Sequence, residues 1–255
     1  MSWPEIALLV VAGIGGGLAG SIAGLASVTT YPALLAVGLP PVTANITNTV
    51  ALVFNGIGSI LGSRPELKGQ GRRLLRTVPI AVLGGAAGAA LLLSTPAEGF
   101  EKIVPILLAF SAVAIVLPVR PKAELAPGEQ RPRHRTLLIV EGAAIFLIAV
   151  YGGYFGAAAG VLLLALLLRV GSATLPHANA SKNVLLGASN SVAALIFVIV
   201  ADVDWAAVVP LGLGCLIGSR LGPIVVRHAP ATPIRILIGL GGLALAVKLG
   251  IDAYA

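Results

Sequence analysis

Apolar stretches of about membrane-span length recur along this chain, and they limit what it can fold into. Single stretches cover 44–62, 77–93, 102–118, 181–200, 204–222 and 232–250. A hydrocarbon layer offers the backbone no hydrogen-bond partner, and a helix satisfies its own. About 20 apolar residues span such a layer as a helix. Only 11% of the 255 residues are charged and 57% are hydrophobic, whereas soluble domains carry about 25% charged residues. The chain reads as a multi-pass membrane protein. Its first segment does not read as a cleavable signal, because Met1-Ser2-Trp3-Pro4-Glu5 carries only an acid.

Two longer apolar regions, 5–38 and 137–169, exceed one helix and fall short of two full spans. Both hold glycine clusters: Gly13, Gly15, Gly16 and Gly17 in the first, Gly152 and Gly153 in the second. Each region is expected to form two shorter helices with a break, either crossing the membrane or re-entrant. The fold class expected is all-α integral membrane, with about five helical segments in each of two halves.

The basic residues order these segments. Segments 63–76, 119–136 and 219–235 hold 13 of the 17 Lys and Arg residues. By the positive-inside rule all three are cytoplasmic. The loop after the third helix of the first half, near Arg64, is then inside. The matching loop of the second half, Ala201-Asp202-Val203-Asp204, is outside. Two similar halves of opposite orientation are inverted-topology repeats, a transporter trait. The expected organisation is repeat 1 over 1–118, a cytoplasmic linker over 119–136 and repeat 2 over 137–255, both termini outside. Trp3, Trp205 and Tyr254 then fall at the outer interface, where amphipathic aromatics settle. The net charge of +7 belongs to these loops and does not imply nucleic acid.

Against this apolar background one polar phrase occurs twice. Ala44-Asn45-Ile46-Thr47-Asn48-Thr49 returns 134 positions later as Ala178-Asn179-Ala180-Ser181-Lys182-Asn183. Each follows glycines four apart: Gly16, Gly20, Gly24 and Gly152, Gly156, Gly160. Residues four apart share a helix face, and glycine there admits close helix packing. Pro40-Pro41 and Pro176 precede the hexamers, as expected near helix starts. A helix N-terminus attracts anions. Asn45, Thr47, Asn48, Thr49, Asn179, Ser181 and Asn183 add neutral polar groups, and Lys182 adds a positive charge. An intramembrane lysine is a functional-site hypothesis by default, although Asn, Ser and Thr also serve as plain helix caps. Ser27, Asn55 and Asn190 are further candidates to line the same site.

No catalytic set is visible. His134, His177 and His228 lack metal-ligand spacing, no nucleotide or protease motif occurs, and no cofactor or metal is expected. Cys215 is the one cysteine, so no internal disulfide forms.

Several segments resemble the TauE/SafE family of sulfite exporter-like membrane transporters. They are Ala19 to Gly24 through Tyr31-Pro32-Ala33-Leu34-Leu35, Gly38 to Thr49, and Arg64-Pro65-Glu66-Leu67-Lys68-Gly69-Gln70. In the second half they are Tyr151 to Ala157, His177 to Val184, and Val203-Asp204-Trp205. The resemblance covers nearly the whole chain. It implies a carrier of a small sulfur-containing anion, such as sulfite or a sulfonate, in a prokaryotic plasma membrane, with alternating access and proton coupling as expectations. Leu25, Ala26 and Ser27 stand where the family often has glycine, which narrows any backbone-lined cavity. The expected partners are the anion and the lipid bilayer, with a homodimer open. A passive anion channel and a non-transporting membrane subunit are the alternatives.

Overall fold

The computed structural model describes residues 1–116, 135–170 and 174–228, with isolated helical positions 240, 243, 247 and 251. Most of the linker 119–136, most of the stretch 232–250, Arg235 and Tyr254 lie outside the described residues.

The described residues form an all-helical bundle. In the first half are α1 (Trp3–Ala23), α2 (Ala26–Ala36), α3 (Pro41–Gly62), the one-turn α4 (Arg64–Leu67), α5 (Gly71–Ser94) and α6 (Ala97–Val116). The second half contributes α7 (Arg135–Tyr154), α8 (Ala159–Val170), α9 (Leu175–Val200) and α10 (Trp205–His228). Among the described residues, six helices are long and apolar enough to cross a membrane: α1, α3, α5, α7, α9 and α10.

The two long apolar regions are indeed broken, but unevenly. α1 has 21 residues and α7 has 20, whereas α2 has 11 and α8 has 12. At ~1.5 Å per residue the short helices reach about 18 Å at most, against a hydrocarbon core of about 30 Å. Neither is long enough by itself to span such a layer. Gly16 packs on Thr30 and Gly20 on Ala26, so α2 runs antiparallel beside the end of α1. Gly24 turns the first break at φ 79° and Gly156 the second at φ 73°. A side chain with a Cβ is disfavoured in that left-handed region.

The halves interlock rather than sit apart. α1 packs along α10, α7 packs along α5, and α3 faces α9 at the centre. The α1–α10 seam is built of small residues. Gly13 and Gly17 meet the α10 backbone at Leu211 and Cys215, while Gly214, Gly218 and Gly222 meet α1 from Val10 to Ile22. Without a hydrophobic drive between helices in lipid, such close backbone contact is what holds them. Gly84 and Gly88 do the same for α5 against α7. α3 and α9 are antiparallel: Thr47 lies by Asp204, Gly56 by Gly187, and Ser63 by Asn183.

One end of the bundle gathers the basic residues. Arg72, Arg73 and Arg76 lie in the first turns of α5, and Arg220 and Arg227 in the last turns of α10. Part of what reads as loop is thus helical, because a long basic side chain can start or end a span while its charge reaches outward. Arg73 pairs with the buried Glu141 at 2.6 Å, and Arg227 pairs with Glu66. Trp3 and Trp205 mark the opposite end, 85% and 54% exposed.

Candidate functional site

The site is a small cavity where the two helix breaks meet α3 and α9. Gly24 and Gly160 touch backbone to backbone there, leaving no room for a Cβ on either. Polar groups reach the cavity from both halves: Ser27, Thr49, Asn55 and Ser59 from one, Asn183 and Asn190 from the other. Leu52, Leu186 and Phe155 supply apolar wall. The space open to the centre of a water-sized sphere is about 30 Å³. A single water needs about 10–15 Å³ on that measure, so the cavity holds very few small molecules. Ala26 and Ser27 line it where glycine would have left more room, and Leu25 is fully buried beside them.

Among the described residues no charged side chain lines the cavity, yet its walls are electrically uneven. Ala26 and Ser27 open α2, and Ala159 opens α8. First-turn N–H groups have no carbonyl behind them in their own helix, so the partial positive end of α2 faces the space. At α8 the Ala159, Val161 and Leu162 N–H groups already bond the Gly156 and Ala158 carbonyls. Lys182 lies directly behind the wall. Its ammonium donates to the carbonyls of Gly20 (3.0 Å) and Ser21 (3.2 Å), and Gly20 itself lines the cavity. Lys182 is fully buried, and among the described residues it has no acidic partner. The Oδ1 of Asn55 is also buried without a protein partner.

Of the expected site residues, Ser27, Thr49, Asn55, Asn183 and Asn190 line this cavity. Asn45, Thr47, Asn48, Asn179, Ser181 and Lys182 do not; they are buried around it and bind other helices. Asn45 donates to the Tyr154 carbonyl at the end of α7, and Asn179 donates to the Ser21 carbonyl near the end of α1. Each thus crosses to the other half and satisfies an orphan carbonyl of a broken helix. Asn48 donates to Ser27 and accepts from Thr30, fastening α2. Thr47 accepts the Asp204 N–H, and Ser181 donates to Gln70. The hexamers lie one turn inside α3 and α9, since those helices start at Pro41 and Leu175. Their backbone N–H groups are therefore spent in the helix, and it is their side chains that face other elements. Among the ladder glycines, Gly16 and Gly20 face α2, Gly152 touches Ala159, Gly156 makes its turn, and Gly24 and Gly160 meet each other.

Sequence reasoning passed over Gln70 as a contact between the halves, and the α10 ladder Gly214, Gly218, Gly222. The four-residue spacing of that ladder is a visible signal. Gln70 offers none, because nothing in a basic segment marks one amide as reaching another helix.

A multi-pass helical membrane protein with two broken helices meeting at a small polar cavity is a transporter architecture. The family signature "Sulfite exporter TauE/SafE" matches residues 8–249, and the chain belongs to that family of membrane transporters. It is similar to the probable membrane transporter protein YfcA of Escherichia coli K12, 26% identical over 93% of this chain and 87% of the relative. It is 28% identical to the probable membrane transporter protein ORF9 of a Sinorhizobium species, over 97% of this chain and 93% of that one. A probable membrane transporter protein of Haemophilus influenzae is 24% identical, over 97% and 95%.

Proposed function

We propose that the chain carries a small oxygen-rich anion, a sulfur oxyanion or sulfonate, across a prokaryotic plasma membrane through this cavity. The observation that carries the proposal is the electrostatic character of the site. The N-terminus of α2, neutral hydroxyl and amide groups, and a buried lysine with no acidic partner among the described residues converge on one small space. Anion oxygens would accept from Ser27, Asn55, Asn183 and Asn190, whereas the Thr49 hydroxyl already donates to the Asn45 carbonyl. Lys182, held behind Gly20, would offset the charge without leaving its carbonyls. The family description supports sulfite-like chemistry.

Alternating access by two inverted repeats, 1–118 and 137–255, is the transport mode we propose. The pairing of α1 with α10 and of α7 with α5 supports it, because exchanging the halves exchanges these contacts. The antiparallel α3 and α9 at the centre support it as well, as inverted repeats require. The basic end, with Arg64 to Arg76, would face the cytoplasm.

Purified protein in liposomes tests the proposal. Uptake of sulfite, sulfate, thiosulfate, sulfoacetate and taurine is measured with and without a pH gradient. Saturable uptake of at least one is expected, and acceleration by the gradient would establish proton coupling. Absence of uptake for all five overturns the substrate class. Flux that rises linearly with concentration replaces the carrier with a channel.

A further inference from the structure

The segment Arg64-Pro65-Glu66-Leu67-Lys68-Gly69-Gln70 carries no part of the cavity, yet it is fastened to the other half at three points. Ser63, at its start, accepts from Asn183 (3.2 Å), and Asn183 lines the cavity. Glu66 accepts two hydrogen bonds from the Arg227 guanidinium at the end of α10, which also donates to the Gly62 carbonyl (2.8 Å). Gln70 closes the segment. Its amide nitrogen donates to the Glu66 carbonyl (2.7 Å) and to the His177 carbonyl of α9 (3.1 Å), and its oxygen accepts from Ser181. Gly69, at φ 82°, makes the turn that brings Gln70 back onto α9.

Two features set this strap apart from ordinary helix packing. First, α4 has no buried residue, so polar contacts rather than core burial fasten it. The Gln70 bond to the His177 carbonyl is exposed and can be exchanged for water, which a buried apolar seam cannot, whereas Ser63 and Asn183 are buried. Second, the opposite side of the cavity is closed differently. Phe155, on the cavity wall, stacks edge-on against Tyr31 and Phe100, and Phe100 against Tyr154. Rings pack against Phe155 on that wall, whereas hydrogen bonds tie the strap to Asn183 and the start of α9.

We infer that residues 63–70 form the gate at the basic end of the cavity, with Gln70 as the latch to α9. The inference rests on the carrier reading, since a gate needs a passage. Releasing Gln70 from His177 and Ser181 frees the strap to lift from the start of α9, and the bond from Ser63 carries that movement to Asn183 in the cavity wall. Gln70 acts through position and touches no substrate.

The test reads access to the cavity without any anion. Ser27→Cys in a Cys215→Ala background puts one thiol on the cavity wall. A charged methanethiosulfonate is applied to each face of oriented vesicles separately, with Lys68→Cys identifying the basic face. Adding Gln70→Ala is expected to raise labelling from the basic face about tenfold and leave the other face unchanged. Ser181→Ala removes one of the same bonds from its other side and is expected to give a smaller rise in the same direction. If the Gln70 variant does not reach the membrane, the Ser181 variant decides. Unchanged labelling, or an equal rise from both faces, overturns the gate. A labelling response without flux of any tested anion would instead leave the gate standing and overturn the substrate class.

Discussion

The two hexamers begin alike and then part. Asn45 and Asn179 both cross the molecule to a carbonyl near the end of a broken helix, Tyr154 in one case and Ser21 in the other. Thr47 and Ser181 both reach the loop after the third helix of the other half, at Asp204 and Gln70. The next residue differs. Asn48 stays within its own half, tied to Ser27 and Thr30 of α2. Lys182 crosses and places its charge on the Gly20 and Ser21 carbonyls. A cation is favoured at a helix C-terminus, so Lys182 has a structural reason to be there. That reason does not cancel its charge, because two carbonyl dipoles do not equal a carboxylate. The difference teaches that one half supplies geometry and the other supplies geometry plus a net positive potential.

The sharpest way to break that comparison is to remove the charge and keep the bulk. Lys182→Met is expected to lower anion flux about 100-fold, the equivalent of about 3 kcal/mol, which is the order of the Coulomb attraction between unit charges several ångströms apart in a protein-like dielectric. The same change leaves neither carbonyl bare, because Gly20 still accepts the Gly24 N–H and Ser21 still accepts from Asn179, so stability is expected to change by about 1 kcal/mol or less. Flux in liposomes and thermal unfolding in detergent separate the two effects. If the lysine were only a cap, unfolding would shift and flux per folded molecule would stay at the wild-type level.

A second comparison sets the two glycines that meet at the breaks against each other. Gly24→Ala and Gly160→Ala both push a Cβ into the opposing backbone, and overpacking costs about 1–3 kcal/mol. Gly24 alone of the pair has a positive φ, 79°, which adds about 1 kcal/mol of backbone strain. Gly24→Ala is therefore expected to lower the melting temperature more than Gly160→Ala. The reverse order would mean that packing, and not the turn, governs the break.

The asparagines give a finer test. Removing Asn45 leaves the Tyr154 carbonyl without its side-chain donor, whereas Ser21 keeps Lys182 after Asn179 is removed. Asn45→Ala is expected to cost about 1–3 kcal/mol and Asn179→Ala about 1 kcal/mol or less. Equal costs in chemical denaturation would show that the lysine does not back up its neighbour.

Much of this was legible before any coordinates. Long uncharged stretches specify helices whatever their neighbours are, and two broken regions were expected. The cluster Gly13, Gly15, Gly16 and Gly17 nevertheless lies inside α1 and packs on α10 and α2, and the first break falls at Gly24. The repeat of Asn45 in Asn179 pointed to the centre of the molecule. What sequence did not give was the division of labour. Thr49 and Asn183 face the cavity, while Asn48 and Lys182, one residue earlier, face other helices. A helix turns about 100° per residue, so adjacent residues serve different surfaces, and only the packing of α1, α2, α7 and α8 decides which surface is the cavity. The uneven lengths of α1 and α2 were hidden for a related reason, since hydropathy does not tell a break at two-thirds of a region from one at its middle.

The smallest effect concerns the basic end, where Arg227 of the second half pairs with Glu66 of the strap. The Arg227 guanidinium bonded to Glu66 holds that carboxyl below its ordinary range. A carboxylate whose folded pKa is lowered adds stability that is fully present above the ordinary carboxylate value. That stability is lost as pH falls through the lowered value. Wild type is thus expected to lose about 1 kcal/mol or less across that acidic window, as a partly exposed ion pair contributes. Glu66→Gln should remove the pH-dependent part and leave the rest of the unfolding profile in place. Melting curves of the two proteins from neutral to acidic pH should converge as Glu66 becomes protonated. Parallel curves throughout would mean that Arg227 holds the strap through the Gly62 carbonyl alone.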